Sequence, residues 1–367
     1  MKKSMIIALM LLAAPFVKDY ALRADDTDDT KATKTFTVTK GGELELSVNC
    51  GDVKLKTWDK DQVSITVEGI DGEDLDDVHM TQSGNTVRVE YRPRWNWQKD
   101  VTFRVSLPEQ FDADVHTSGG NIDVRGTMKG KLTGYTSGGD ISTEKIEGAT
   151  TLKTSGGDIT LGDVGGEADV RTSGGEIKVE RVGKSLKAST AGGDVEVGDV
   201  GGDAVLSSSG GEVKVGKVSG SATLRTAGGD VELRSASGDV EAKTAGGNIR
   251  LENITGSISA KTAGGDILAE LMPSGKGMSE LRSSGGNVVL SLPEKSNATI
   301  DATIKIQGRW MRRSEEYDIR SDFAAESKNV DKDEEEIHAV YKLNGGGERI
   351  TIETTNGNID IRKLSGK

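Results

Sequence analysis

Residues 154–179 read TSGGDITLGDVGGEADVRTSGGEIKV, and the phrase TSGG followed by an acidic residue and isoleucine occurs twice, 18 residues apart. The interval is not local. Glycine pairs begin at Gly119, Gly138, Gly156, Gly174, Gly192, Gly210, Gly228, Gly246, Gly264 and Gly285, with a step of 18 at every interval from Gly138 to Gly264. The first step is 19 and the last is 21. The extra residues of the last fall around MPSGKGMS at 272–279, where a turn can absorb them.

Within one unit Ile159 and Leu161 alternate with polar residues, Val164 follows, and Ala168, Val170 and Thr172 alternate again. Alternation of period two in two short runs predicts two short strands per unit. Neither strand can bury a face alone. Stacking one unit on the next, about 4.8 Å apart, supplies both the backbone ladder and a continuous core. The expected fold is therefore all-β: a single-stranded β-solenoid of 18-residue coils, closed by β caps at both ends. Its inward columns include Ile141, Ile159, Ile177, Val195, Val213, Val231, Ile249 and Ile267, beside a hydroxyl column of Thr154, Thr172, Thr190, Ser208, Thr226, Thr244 and Thr262. The structural corners are assigned to the pairs that begin at Gly138, Gly156, Gly174, Gly192, Gly210, Gly228, Gly246 and Gly264, on the expectation of a left-handed or otherwise forbidden backbone there and of a bend too narrow for a stacked side chain.

Composition agrees with a thin core, since 49 glycines accompany only 4% aromatic residues in 367. Other solenoids fit less well. A hexapeptide helix needs an aliphatic residue every six positions, and counting from Ile159 meets Gly165 and Arg171. A calcium-binding nonapeptide repeat needs glycine and aspartate where GGEADVRTS has Ala168 and Val170. A pectate-lyase-like helix builds its cleft from long loops, and seven consecutive tight units leave no wall for one.

The chain divides into five expected segments. Residues 1–24 have the layout of a secretory signal peptide: Lys2 and Lys3, an apolar run from Met5 to Val17, and small residues ending at Ala21 or Ala24. Residues 25–35 read as an acidic disordered lead, 36–117 as an N-terminal β region and cap, 118–295 as the regular solenoid, and 296–367 as a C-terminal β region and cap. Thirteen apolar residues are too few to span a bilayer. Export is expected, to the periplasm, the cell surface or the medium. Removing residues 1–24 shifts the formal charge from −12 to about −15, because Lys2, Lys3, Lys18 and Arg23 outnumber Asp19 by three. Such acidity opposes nucleic acid and anionic lipid as partners. The single cysteine, Cys50, has no internal partner and is expected to be buried.

VTFRVSLPEQFDADVHTSGGNIDV at 101–124, the TSGG units, and LNGGGERITIETTNGNIDIRK at 343–363 resemble the bacterial candidate-adhesin domain of unknown function, a family of β-strand-repeat cell-envelope proteins. The resemblance covers about residues 36–363. It implies the solenoid fold and a non-catalytic role, and it brings no catalytic residues and no cofactor.

Two features could carry binding. Asp140, Asp158, Asp194, Asp230 and Asp266, with Glu176 and Glu212, form an acidic column, and Lys153, Arg171, Arg225, Lys243, Lys261 and Arg282 form a basic one. Stacked like charges repel, so ion pairs across the corner and solvent screening are expected, with weak calcium binding as the alternative. The second feature is aromatic. Trp95 and Trp97 in YRPRWNWQKD, and Trp310 in GRWMRRSEEY, suit either stacking on sugar rings or covering an open solenoid end. His79, His116 and His338 match no metal spacing, and no nucleophile elbow, phosphate loop or zinc signature occurs. The functional expectation is an exported adhesin-like or scaffolding protein that binds an envelope polysaccharide or a surface protein through its flat repetitive face. The alternatives are a polysaccharide lyase or hydrolase, and a purely structural envelope component without a ligand.

Overall fold

A computed structural model of the chain describes residues 18–19, 24–25, 28–70, 72–93, 100–273, 277–307, 317–331 and 335–364. Strands dominate these residues and form two long sheets of 18 and 17 strands. In the regular region each coil contributes one strand to each sheet, as Ile159–Val164 and Ala168–Arg171 do. The next coil pairs with it in parallel, Ile159 opposite Ile177 and Ala168 opposite Leu186. The 18-residue period is thus the circumference of one coil.

The longer strand buries Ile159, Leu161 and Val164, and the shorter buries Ala168 and Val170. These positions repeat along the stack and join one hydrophobic core running from Ala32 to Ile361. Burial of small aliphatic side chains between two closely spaced sheets explains how so few aromatics suffice. Of the larger side chains, Tyr91, Phe103, Phe111, Met80 and Met128 are fully buried at the N-terminal end. Tyr91 packs against Phe103 with ring centroids 5.7 Å apart, so it is a core residue rather than a partner of any surface aromatic group.

Neither end continues the stack in chain order. The strands Gly42–Val48 and Asp52–Trp58 form a coil held between Thr86–Tyr91 with Thr102–Pro108 on one side and Phe111–Thr117 with Ile122–Met128 on the other, all in parallel. The chain leaves this coil outward, turns, and returns past it. Antiparallel strands close the outside: Gln62–Glu68 pairs with Asp28–Thr37 and with Thr102–Pro108, and Val78–Ser83 pairs with Thr86–Tyr91. The C-terminal end mirrors this plan. Glu348–Thr355 lies between Met278–Ser283 and Ala298–Lys305, and Glu336–Leu343 adds an antiparallel cover. An open solenoid end would expose unpaired parallel edges, and each end is instead clamped by a coil distant in sequence.

Three expectations change here. The lead is not disordered throughout, because Lys31–Thr37 pairs residue by residue with Gln62–Glu68 and Ala32 is buried. Cys50 is half-buried beside the core rather than enclosed, and its partial burial raises the thiol pKa. The corner glycines are not left-handed: positive φ among glycines occurs at Gly41, Gly51, Gly69, Gly84, Gly126, Gly345 and Gly346, none of them in the repeated pairs.

Candidate binding faces

The repeated corner is held by stacking distance. A Cβ on Gly157, the second glycine of its pair, would lie 2.1 Å from the carbonyl oxygen of Gly139 one coil below, and Gly139, Gly175 and Gly193 are as tightly confined. A Cβ on Gly156, the first, would meet nothing closer than 3.5 Å. The steric requirement falls most heavily on the second glycine of the pair, while among the first glycines it tightens in the middle coils, where a Cβ on Gly192, Gly210 or Gly228 would lie 2.8–2.9 Å from the carbonyl oxygen below. Thr154 completes the corner. Its hydroxyl donates to Gly139 O at 2.8 Å and accepts the Gly157 N–H at 3.3 Å, and Thr172, Thr190, Ser208, Thr226, Thr244 and Thr262 repeat the arrangement. The hydroxyl column links layers through glycine carbonyls.

The acidic column has a structural occupation. Asp140 Oδ1 accepts the backbone N–H of Asp158 one coil on at 2.8 Å, and Asp158, Asp194, Asp230 and Asp266 accept the corresponding amides of Glu176, Glu212, Asn248 and Asn287. Asn121 and Asn248 do the same. Repulsion between stacked carboxylates is offset by these amides rather than by ion pairs across the corner. The basic residues pair instead along their own sheet, Arg171 with Asp169 at 3.0 Å, Arg225 with Glu241 at 3.0 Å and Lys261 with Glu280 at 2.6 Å. Where glutamate replaces aspartate the carboxylate serves otherwise. Glu212 sits among Glu232, Asp194 and Asp230, and partial burial first, then those charges, push its pKa up. Among the described residues no group of three or more His, Cys, Asp or Glu side chains is gathered as a metal site would require.

The two flat faces differ in charge pattern. On the longer-strand sheet, opposite charges alternate up the stack: Lys178 meets Glu196 at 3.5 Å, Lys214 meets Glu232 at 3.7 Å, and Arg181 meets Asp163 at 3.9 Å. On the shorter-strand sheet, Arg225, Lys243, Lys261 and Arg282 stand in register as four successive cations. Hydrogen bonds from Lys243, then Arg225, hold the Glu241 carboxyl below its usual range. At the start of this column His116 stacks on Tyr135 with centroids 4.6 Å apart, and Lys153 lies over the same ring.

The regular coils carry small grooves, one of them lined by Glu176, Lys178, Asp194, Glu196, Glu212 and Lys214. A wider cleft opens where the repeat lengthens, lined by Asn253, Glu270, Met272, Ser291, Pro293 and Lys363. Lys363 also ion-pairs with Glu294 at 2.7 Å. Trp95, Trp97 and Trp310 lie outside the described residues, whereas Trp58 donates its Nε1–H to Gln62 O at 2.8 Å. The amide-accepting role of the acidic column was missed in the sequence. The signal was present, because asparagine interrupts that column at Asn121, Asn248 and Asn287, and asparagine shares the acceptor but not the charge.

A parallel two-sheet solenoid with amide-capped corners defines a class of repetitive β-strand proteins. The chain belongs to the Toastrack DUF4097 family, whose model matches residues 42–199 and again 166–362. Among solved structures it is similar to a candidate adhesin from Bacteroides fragilis NCTC 9343, with 11% identity, 63% of this chain and 97% of that one covered, and a TM-score of 0.35. It is also similar to a candidate adhesin from Parabacteroides merdae ATCC 43184, with 9% identity, 92% and 97% covered, and a TM-score of 0.28. A candidate cell adhesion protein from Clostridium sporogenes ATCC 15579 has 11% identity, 91% and 100% covered, and a TM-score of 0.14. No curated protein matches the chain.

Proposed function

We propose that this protein is exported and acts, without catalysis, as an adhesin-like or scaffolding component of the cell envelope, holding a polymer or another protein against its flat β faces. The observation that carries this reading is the pair of long sheets whose outward side chains repeat at coil spacing across tight turns. Such faces offer many equivalent weak contacts, and affinity comes from their number. The similarity of the chain to proteins described as candidate adhesins supports the same role. Export is supported by the basic start and apolar run of residues 1–24, and among the described residues no helix is long and apolar enough to cross a membrane.

The test is to express the full chain with its own leader, recover the product, sequence its new N-terminus, and measure its retention on whole cells and on purified envelope polysaccharide. A product beginning near residue 22 or 25 that is retained saturably supports the proposal. An unprocessed product that is not retained would refute it. A Trp95→Ala, Trp97→Ala double variant run alongside assigns the aromatic pair: lost retention makes it a glycan site, and lowered melting temperature with unchanged retention makes it an end cover.

A further inference from the structure

The middle of the shorter-strand sheet, over the regular coils, is electropositive on an acidic protein. Its eight strands from Thr150–Lys153 to Met278–Ser283 carry seven cations, Lys153, Arg171, Lys187, Arg225, Lys243, Lys261 and Arg282, against three carboxylates, Asp169, Glu241 and Glu280, a balance of 7 − 3 = +4. The whole chain carries −12. The opposite sheet over the same coils, Ile141–Ile146 to Ile267–Leu271, carries seven cations and eight carboxylates, 7 − 8 = −1.

The excess is concentrated rather than spread. Arg225, Lys243, Lys261 and Arg282 occupy one column, each in register with the next, about 4.8 Å apart. Their side chains are 54%, 45%, 40% and 48% exposed. Glu241, Glu280 and Glu353 pair with these four and with Lys305, so five cations share three acids. Stacked like charges on adjacent strands destabilise a sheet, and the opposite sheet avoids this by alternating signs. A column whose cations outnumber the acids that pair with them is suited to a partner that supplies the missing negative charge.

We infer that this column, from Arg225 to Arg282, is the binding strip for a carboxylate-bearing polysaccharide laid along the stacking axis. The inference rests on the proposed envelope-binding function and names its face and ligand chemistry. One cation wide, bordered around the corner by Asp230 and Asp266, the strip suits a single thin polyanion whose charges recur along its length. A nucleic acid duplex, broad and densely charged, would meet those acids. In line with the strip, Ser189 and Ser207 present hydroxyls for sugar hydroxyls, and Lys153 and Arg171 continue the charge beyond them.

The experiment measures binding of the exported full chain to polygalacturonate, neutral dextran and duplex DNA, and its retention on whole cells. One variant reverses the strip with Lys243→Glu, Lys261→Glu and Arg282→Glu. A control applies the same change in net charge to the other face with Lys178→Glu, Lys214→Glu and Lys217→Glu, and glutamine versions of the strip variant serve if reversal prevents folding. Expected are binding to polygalacturonate but not dextran, a loss of roughly tenfold or more between 50 and 200 mM salt, and a similar loss in the strip variant, with the other-face control within about twofold of the parent. Equal losses in both variants, or tighter binding to duplex DNA, overturn the inference. Retention on cells without polygalacturonate binding overturns the strip while leaving the envelope-binding function standing. Binding to nothing overturns both.

Discussion

Substituting alanine at the two glycines of one corner separates stacking distance from backbone conformation as the reason for the pair. In Gly157→Ala the new methyl would sit 2.1 Å from Gly139 O and 2.6 Å from Asp140 Oδ1. Against a carbon–oxygen contact of about 3.3 Å, the shortfall at Gly139 is about 1.2 Å. The coil must lift there, and Gly139 O is also the acceptor of the buried Thr154 hydroxyl, which in turn accepts the Gly157 N–H. Two hydrogen bonds in a water-poor corner are weakened, at about 1–2 kcal/mol each, and local strain adds to them, giving about 3–5 kcal/mol in all. In Gly156→Ala the nearest atom is 3.5 Å away and φ is not positive, so the expected change is under about 1 kcal/mol. Urea unfolding of both variants beside the parent, followed by circular dichroism, measures the difference. Equal destabilisation by the two, or a Gly157→Ala cost below about 1 kcal/mol, would refute the stacking argument.

Other outcomes follow from individual side chains. The hydroxyls of Thr143 and Thr150 are buried with no hydrogen-bond partner, in columns otherwise occupied by Val124, Leu161, Leu132 and Ala168, so Thr143→Val and Thr150→Val should each stabilise by about 1 kcal/mol in the same urea assay. Asp158→Asn keeps an acceptor for the Glu176 amide and should be near neutral, whereas Asp158→Ala should cost about 0.5–1.5 kcal/mol. Asp239 accepts hydrogen bonds from the Ser257 hydroxyl and amide, which lower its pKa below the ordinary 3.8. A depressed folded pKa contributes stability above the unfolded value that is lost as pH falls through the folded one, so Ser257→Ala should narrow the stability gap between pH 5 and pH 3 in acid unfolding curves.

The regular solenoid was readable because every layer meets the same constraints, and identical constraints at fixed spacing leave a period in the sequence. Ile159, Ile177 and Val195 could be placed in one column by counting alone, and they are. The reason for the glycine pair was not readable at that level. Positive φ and close approach both select glycine, and only the distance from Gly157 to the coil below distinguishes them. The ends were legible as strands but not as topology. Gly42–Val48 pairs with Phe111–Thr117 across some 70 residues, and a single non-consecutive insertion at each end generates no repeat to count. Of the candidate site, the two charge columns were visible as columns. Their partners were not, because Asp158 answers to a backbone amide and Arg225 to Glu241 on its own sheet, and neither relation follows from the order of side chains.

Unit stacking itself is tested by deletion. Removing residues 190–207 joins Ser189 to Ser208 and takes out one complete 18-residue coil, which leaves every column in register. Removing 17 residues, 190–206, displaces the following strands by one position and turns their inward side chains outward. Thermal melting of both deletions is the most direct measurement. The account predicts that the 18-residue deletion folds and melts cooperatively close to the parent, as expected of a quasi-one-dimensional stack, and that the 17-residue deletion does not. Equal failure of the two, or equal tolerance, would contradict it.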